Sequence, residues 1–270
     1  MLETNIQMKD IGAGLCVVEN AIDVDQKFLF DYINYLKQAE EDTFTYVEEN
    51  GIKFAINKTG FKFELDQIST APERFVDVLC RMNGRGVTTE QERFIKSLED
   101  TMYKILVEYC KFYPEAASVC WWRSHGHIAT YSNGQEIGPH CDDQMPYEKG
   151  KPTPNEYSKH SNVSVNIYLN DAVLEEENLN EYNYIGGSIR FKHAKYVHVP
   201  KAGSAVIYPA NYIGTHEVDP VTHGKRVAYL GAFLYGNPES SNSKSNPGYF
   251  DPEDTRIWMP NLKKDAGLEF

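Results

Sequence analysis

Apolar residues recur every three or four positions in two stretches of the N-terminal half, and this spacing predicts two amphipathic helices. Asp23 or Asp25 can cap the first helix, which we expect to end near Ala39. The second is predicted to start at Thr89, because Thr89 and Glu92 have the spacing of a capping box. We expect the apolar faces of both helices to pack against the rest of the protein.

After Pro114 the pattern changes from helical spacing to short runs separated by turns. Residues 164–169 alternate apolar and polar side chains, which is typical of a strand. Residues 186–191 read as a turn that enters a strand, and residues 204–208 and 226–235 are two further apolar strands. Successive strands at this spacing predict a mainly β fold with supporting helices, arranged as a β-sandwich or barrel.

We expect one domain over residues 1–270. Residues 1–115 would form a support of helices and strands, and residues 118–235 the β core. Residues 236–270, rich in Asn, Ser, Pro and Lys at first, would form a C-terminal tail packed on the core.

Composition narrows the classes of function. The chain has 270 residues, 41 % of them hydrophobic and 24 % charged, which is typical of a globular protein. A net charge of −12 argues against nucleic-acid binding and adsorption to anionic membranes, and weakly favours a cationic substrate. No apolar run is long enough for a membrane span, and no signal peptide is visible. Five widely spaced cysteines without a CxxC pair indicate reduced thiols, so we expect a cytoplasmic protein.

An H-x-D pair is the first candidate for a metal site. Alternation along a strand would place His140 and Asp142 on the same side. His216, which follows the strand at 204–208, is the candidate for a third ligand. Two histidines and one carboxylate leave one face of an octahedral metal open, an arrangement typical of non-haem Fe(II) oxygenases. Arg226 enters the next strand and can hold a carboxylate with two parallel hydrogen bonds.

These segments together resemble the iron- and 2-oxoglutarate-dependent dioxygenases, and most of all their prolyl 4-hydroxylase-like branch. The matching features, in order, are the segment from Tyr131 to Asp142, the strand at 167–170, the Gly-Gly turn at 186–187, and the segment from His216 to Arg226. The resemblance covers roughly residues 118–235. It implies a double-stranded β-helix, or jelly roll, for the core.

The resemblance also implies residue roles. His140, Asp142 and His216 match the iron ligands. Arg226 matches the basic residue that pairs with the distal carboxylate of 2-oxoglutarate, although some members carry lysine there and Lys225 is adjacent. Among the aromatic residues of the site, Tyr168 matches a strand tyrosine that assists this contact, and Tyr131 matches a residue that often contacts the co-substrate.

The implied activity is hydroxylation of an unactivated C–H bond, with O2 as oxidant and 2-oxoglutarate decarboxylated to succinate. Fe(II) and 2-oxoglutarate are the implied cofactors, and a requirement for ascorbate is left open. We expect a small molecule or free amino acid as substrate. The alternatives are a peptidyl-prolyl hydroxylase acting on a protein and a non-catalytic jelly-roll binding module, against which the complete triad argues.

Other candidates have a structural interpretation that we prefer. His160, His193, His198 and His223 are expected to be exposed, and Trp122 with Arg123 is expected to pack on the helices. His127 shares a strand face with Tyr131 and is a weaker candidate for the pocket wall, like its neighbour His125. Residues 143–162 contain three prolines and few aliphatic side chains, so we predict a loop, with a substrate lid as its functional interpretation.

Overall fold

A computed structural model describes residues 2–41, 45–49, 51–56, 62–64, 73–75, 88–124, 126–143, 161–235 and 257–268. The predicted lid falls largely outside the described residues, as do His125 and His160. The helices are α1 (Gln26–Glu41), α2 (Thr89–Phe112), α3 (Ala116–Val119) and α4 (Leu262–Asp265).

The strands are short and antiparallel for the most part, apart from one parallel pair. In chain order they are β1 (Met8–Gly12), β2 (Leu15–Val18), β3 (Thr45–Glu49), β4 (Ile52–Ile56), β5 (Lys62–Glu64), β6 (Glu73–Phe75), β7 (Trp122–Arg123), β8 (His127–Tyr131), β9 (Ile137–His140), β10 (Ser161–Tyr168), β11 (Ala172–Val173), β12 (Tyr184–Gly186), β13 (Ile189–Phe191), β14 (Tyr196–His198), β15 (Ala205–Pro209), β16 (His216–Val218), β17 (Val221–Gly224), β18 (Arg226–Leu234) and β19 (Ile257–Trp258).

Two sheets carry the core. The larger sheet has nine strands in the order β1-β2-β15-β10-β18-β7-β19, with β8 also paired to β18 and β6 to β8. A four-stranded sheet has the order β14-β13-β16-β9, and a three-stranded sheet joins β11, β12 and β17. A further three-stranded sheet is formed by β3, β4 and β5. The architecture is a double-stranded β-helix with supporting helices, as the sequence predicts.

The larger sheet buries a different core on each face, because successive side chains of a strand point to opposite sides. One face packs on the helices through side chains such as Val165 and Ile167 of β10 and Leu98 and Met102 of α2. The other face packs on the smaller sheets and forms the interior of the jelly roll. Its buried residues are Leu15, Val17, Ala129, Tyr131, Tyr168, Tyr184, Ile189, Phe191, Val206, Tyr208, Val218, Val221 and Ala228.

Both predicted helices are present, and one start differs from the prediction. Asp25 caps α1, since its carboxylate accepts a hydrogen bond from the Phe28 N–H at 3.0 Å. The capping box of α2 is made by Thr88 and Gln91, one residue earlier than the predicted Thr89 and Glu92. The two registers both place a hydroxyl three residues before a long polar side chain, so spacing alone did not separate them.

Residues from the support and the tail join the larger sheet. β1 and β2 extend it through β15, and β19 pairs with β7. Arg123 on β7 donates to the Glu99 carbonyl at 2.7 Å, and the Trp122 ring lies 6.4 Å from that of Trp258. The division into support, core and tail stays a prediction. In the described ranges, no helix is both long and apolar enough to cross a membrane.

Candidate active site

Two neighbouring strands bring the histidines of the predicted triad together. β9 and β16 pair antiparallel, and His216 lies directly opposite His140. β9 ends at His140, so Asp142 reaches the site from the turn that follows, where the prediction had a continuing strand. One metal-ligand cluster is present among the described residues, and it consists of His140, Asp142 and His216.

The three ligand atoms lie within 4.8 Å of one another. Asp142 Oδ1 is 3.6 Å from His140 Nε2 and 3.9 Å from His216 Nε2. Each histidine has its Nδ1 at 2.9 Å from a backbone carbonyl, that of Gly138 for His140 and that of Gly214 for His216. A proton on Nδ1 donates to that carbonyl and leaves the Nε2 lone pair for a metal. Burial lowers the pKa of His216, which keeps the ring neutral as a metal ligand must be.

Tyr208 supports the carboxylate of the triad, and the sequence interpretation missed it. Its hydroxyl donates to Asp142 Oδ2 at 3.1 Å and accepts from Asn166 Nδ2 at 3.2 Å. Burial, with a smaller contribution from Asp142, raises the pKa of Tyr208, so the phenol stays protonated and donates. Asp142 Oδ1 is thereby left for the metal. The signal available in the sequence was the position of Tyr208 on the strand that leads into His216.

Arg226 lies in the interior of the jelly roll. It begins β18, opposite Tyr131 on β8, and its side chain is 1 % exposed. The guanidinium carbon is 4.4 Å from the ring centre of Tyr131 and 5.4 Å from that of Tyr168. Lys225 is only partly buried, so Arg226 is the member of this pair that faces the interior. None of the ion pairs among the described residues includes Arg226.

Several polar groups around Arg226 are buried without a hydrogen-bond partner among the described residues. They are Nε and Nη1 of Arg226 and the hydroxyls of Tyr168 and Tyr184. Native proteins rarely leave such groups unsatisfied, so a cluster of them indicates a polar ligand. Donors grouped around a single positive charge fit a carboxylate.

The chain has a family match over this region. The family model described as the 2OG-Fe(II) oxygenase superfamily matches residues 126–233, which contain the triad, Arg226 and the jelly-roll strands. Residues 126–233 are a 2OG-Fe(II) oxygenase domain. No curated protein matches the sequence.

The solved structures with a similar fold include three prolyl hydroxylases. A prolyl hydroxylase from Trichoplax adhaerens, in complex with a hypoxia inducible factor oxygen degradation domain peptide fragment, has a TM-score of 0.50 at 17 % identity, covering 83 % of this chain and 84 % of its own. The viral collagen prolyl hydroxylase of Paramecium Bursaria Chlorella virus-1 has a TM-score of 0.45 at 12 % identity, with coverages of 83 % and 96 %. A Pseudomonas putida prolyl-4-hydroxylase has a TM-score of 0.43 at 14 % identity, with coverages of 83 % and 94 %.

The residues present fit the cofactors of the oxygenase, which are Fe(II), 2-oxoglutarate and O2. Two imidazoles and one carboxylate are the donor set of non-haem Fe(II) oxygenases. The unsatisfied donors at Arg226 fit the distal carboxylate of 2-oxoglutarate.

His198 corrects one prediction. It was expected to be exposed, yet it is 6 % exposed, with its ring 4.9 Å from that of Tyr168. Burial, and after it the positive charge of Arg226, lowers the pKa of His198 to about 4, so the ring is neutral near pH 7. His193 and His223 are exposed as predicted, and His127 is partly buried on β8.

Proposed function

We propose that this oxygenase hydroxylates an unactivated C–H bond of a small molecule or free amino acid and converts 2-oxoglutarate to succinate. One observation carries the proposal. A ligand triad suited to Fe(II) and a buried arginine that has no carboxylate partner among the described residues belong to the same oxygenase segment. A non-catalytic binding module would have no need for both.

Each part of the site has a task in this proposal. Bound Fe(II) and 2-oxoglutarate supply the activation of O2 and the decarboxylation. His140, Asp142 and His216 would hold the metal, and the hydrogen bond from Tyr208 would keep the Asp142 carboxylate oriented. Arg226 and Tyr168 bind and orient the distal carboxylate. The aromatic interior excludes water from the reacting atoms.

A peptidyl-prolyl hydroxylase is the second candidate. The support for it is the fold shared with the Trichoplax adhaerens prolyl hydroxylase, whose structure contains a peptide fragment. At 17 % identity this likeness concerns the fold, so we keep the small-molecule proposal first. Among small-molecule substrates, the net charge of −12 favours cationic compounds.

A substrate screen tests the proposal. Succinate formation is followed with Fe(II), 2-oxoglutarate and O2 in the presence of free amino acids, including lysine and arginine, other metabolites, or proline-containing peptides. The proposal expects a free amino acid or metabolite to accelerate succinate release and to gain one oxygen atom, and His216→Ala to abolish both. Acceleration by peptides alone selects the second candidate. A protein that neither binds iron nor turns over is a binding module.

A further inference from the structure

Tyr184 is a buried tyrosine that no motif of the sequence analysis singled out. It begins β12, two residues before the Gly186–Gly187 turn, and its side chain is fully buried in the jelly-roll interior. Its hydroxyl has no hydrogen-bond partner among the described residues. A buried phenol normally finds a partner, so this hydroxyl needs an explanation.

Gly187 shows how close Tyr184 is to Arg226. A Cβ placed on Gly187 would lie 2.8 Å from Arg226 Cδ and 3.0 Å from Tyr184 Cε2. The arginine side chain and the tyrosine ring therefore pack over the same glycine. Tyr168 lies on β10 of the larger sheet, with its ring centre 5.4 Å from the guanidinium carbon of Arg226. Three side chains with unsatisfied polar atoms, Tyr168, Tyr184 and Arg226, thus come from β10, β12 and β18.

The charge in this part of the interior matches one carboxylate. Arg226 supplies one positive charge, and His198 is neutral near pH 7 because burial lowers its pKa to about 4. Burial also keeps Tyr168 and Tyr184 protonated by raising the pKa of both phenols. The two hydroxyls can therefore donate, and a single carboxylate can accept from all three side chains.

We infer that Tyr184 is a third donor to the distal carboxylate of 2-oxoglutarate, beside Arg226 and Tyr168, and that it contributes to selection of a dicarboxylic 2-oxo acid. The inference rests on the proposed co-substrate site at Arg226. It adds a binding residue from the strand before the Gly-Gly turn.

The test is Tyr184→Phe, with Tyr109→Phe as the matched control. Tyr109 is also buried, but its hydroxyl donates to the Gly14 carbonyl at 2.9 Å, away from the triad and from Arg226. Binding of 2-oxoglutarate and of pyruvate, which lacks the distal carboxylate, is measured by calorimetry on the Mn(II)-loaded proteins without O2. Thermal unfolding is measured on the ligand-free proteins.

We expect Tyr184→Phe to raise the Kd for 2-oxoglutarate about tenfold, the effect of losing a hydrogen bond to a charged group. Its Kd for pyruvate stays unchanged, and its ligand-free Tm does not fall, because the deleted hydroxyl accepts and donates no hydrogen bond within the described part of the chain. Tyr109→Phe is expected to lower the ligand-free Tm and to leave both Kd values unchanged.

Three results would overturn the inference. They are an unchanged Kd for 2-oxoglutarate in Tyr184→Phe, equal weakening of 2-oxoglutarate and pyruvate, and a fall of the ligand-free Tm as large as that of Tyr109→Phe. Arg226→Ala separates this failure from that of the proposed site. If Arg226→Ala weakens 2-oxoglutarate and Tyr184→Phe does not, only the role of Tyr184 is wrong. If neither does, the co-substrate site itself is wrong.

Discussion

At the scale of single residues, Arg226 is a positive charge buried in the interior, with a relative exposure of 1 %. A buried charge without a partner costs several kcal/mol. The rings of Tyr131 and Tyr168 return part of this, on the order of 0.5–2 kcal/mol for each cation–π contact. A bound carboxylate would pair the charge and satisfy the unused N–H groups, and it would thereby offset the rest of this cost.

Arg226→Ala should therefore raise the KM for 2-oxoglutarate roughly ten- to a hundredfold, since a charge-assisted pair is worth about 1.5–3 kcal/mol. The KM for the hydroxylated substrate should change far less. Steady-state kinetics with each substrate varied in turn measures the difference. Lys225→Ala is the control, and a larger effect there than in Arg226→Ala would show that the two residues have been assigned in the wrong register.

Tyr208→Phe should weaken metal binding about ten- to a hundredfold, the usual effect of removing a group that orients a metal ligand. The reason is the lost hydrogen bond from Tyr208 to Asp142 Oδ2. Equilibrium dialysis with Mn(II) gives the affinity. Tyr103→Phe is a matched control, because Tyr103 also donates to an aspartate, Asp265, but outside the site. Equal metal affinity in the two variants would contradict the assigned role.

His198 should make the fold sensitive to acid. Burial lowers its pKa from the ordinary histidine value of 6.5 to about 4 in the folded protein, so the unfolded chain binds the proton more tightly. This contribution is fully present above pH 6.5 and is lost as the pH falls towards 4, by about 3 kcal/mol in total.

His198→Phe keeps a ring beside Tyr168 but binds no proton, so it should flatten the pH dependence of the free energy of unfolding between pH 6.5 and 4. Urea denaturation at several pH values measures it. The exposed His193→Gln should keep the slope of the parent protein. A His198→Phe slope equal to that of the parent would mean that His198 does not titrate as inferred.

At the scale of elements, strand length decided what the sequence could reveal. β10 is eight residues long, and its alternation predicted a strand there; in the structure Val165 and Ile167 pack on the helices and Tyr168 lies in the interior. β12 and β14 have three residues each, too few to show a period. The burial of Tyr184 and His198 follows from the pairing of these short strands with distant partners, which no local pattern encodes.

The Gly-Gly turn beside β12 has a structural reason that can be tested. Gly187 has a φ of +61° and no room for a side chain, because a Cβ would come within 2.8 Å of Arg226 Cδ. Gly187→Ala should therefore lower stability and also weaken 2-oxoglutarate binding by displacing Arg226.

Gly134→Ala is the matched control for the turn. Gly134 has a φ of +84°, but a Cβ there would meet nothing within 4 Å. The backbone strain of about 1–2 kcal/mol should appear in both variants. Only Gly187→Ala should change the Kd for 2-oxoglutarate in calorimetry. A similar Kd change in Gly134→Ala would attribute the effect to strain and not to contact with Arg226.

At the scale of the whole molecule, the site depends on pairings between distant parts of the chain. β2 pairs with β15, and this places Val18 opposite Ala205. The resemblance predicted the jelly roll, and the H-x-D spacing predicted that His140 and Asp142 lie on the same side, as they do in the cluster with His216. The attachment of β1, β2 and β19 to the larger sheet was not predictable in detail, because strand order is set by long-range packing.

Binding of 2-oxoglutarate should raise the thermal stability of the whole protein. Pairing the buried Arg226 with a carboxylate stabilises the folded state only. With Mn(II) bound and 2-oxoglutarate at one hundred times its Kd, the gain is about 2.7 kcal/mol. For a chain of this size we expect the Tm to rise by about 5–10 °C in differential scanning calorimetry. Arg226→Ala, at the same ligand concentration, should retain about half of this shift or less. Pyruvate tested at the same concentration should produce a much smaller shift than 2-oxoglutarate, because it lacks the distal carboxylate. An equal shift with both ligands would mean that the stabilisation comes from the 2-oxo acid group that they share, and that Arg226 does not bind the distal carboxylate of 2-oxoglutarate.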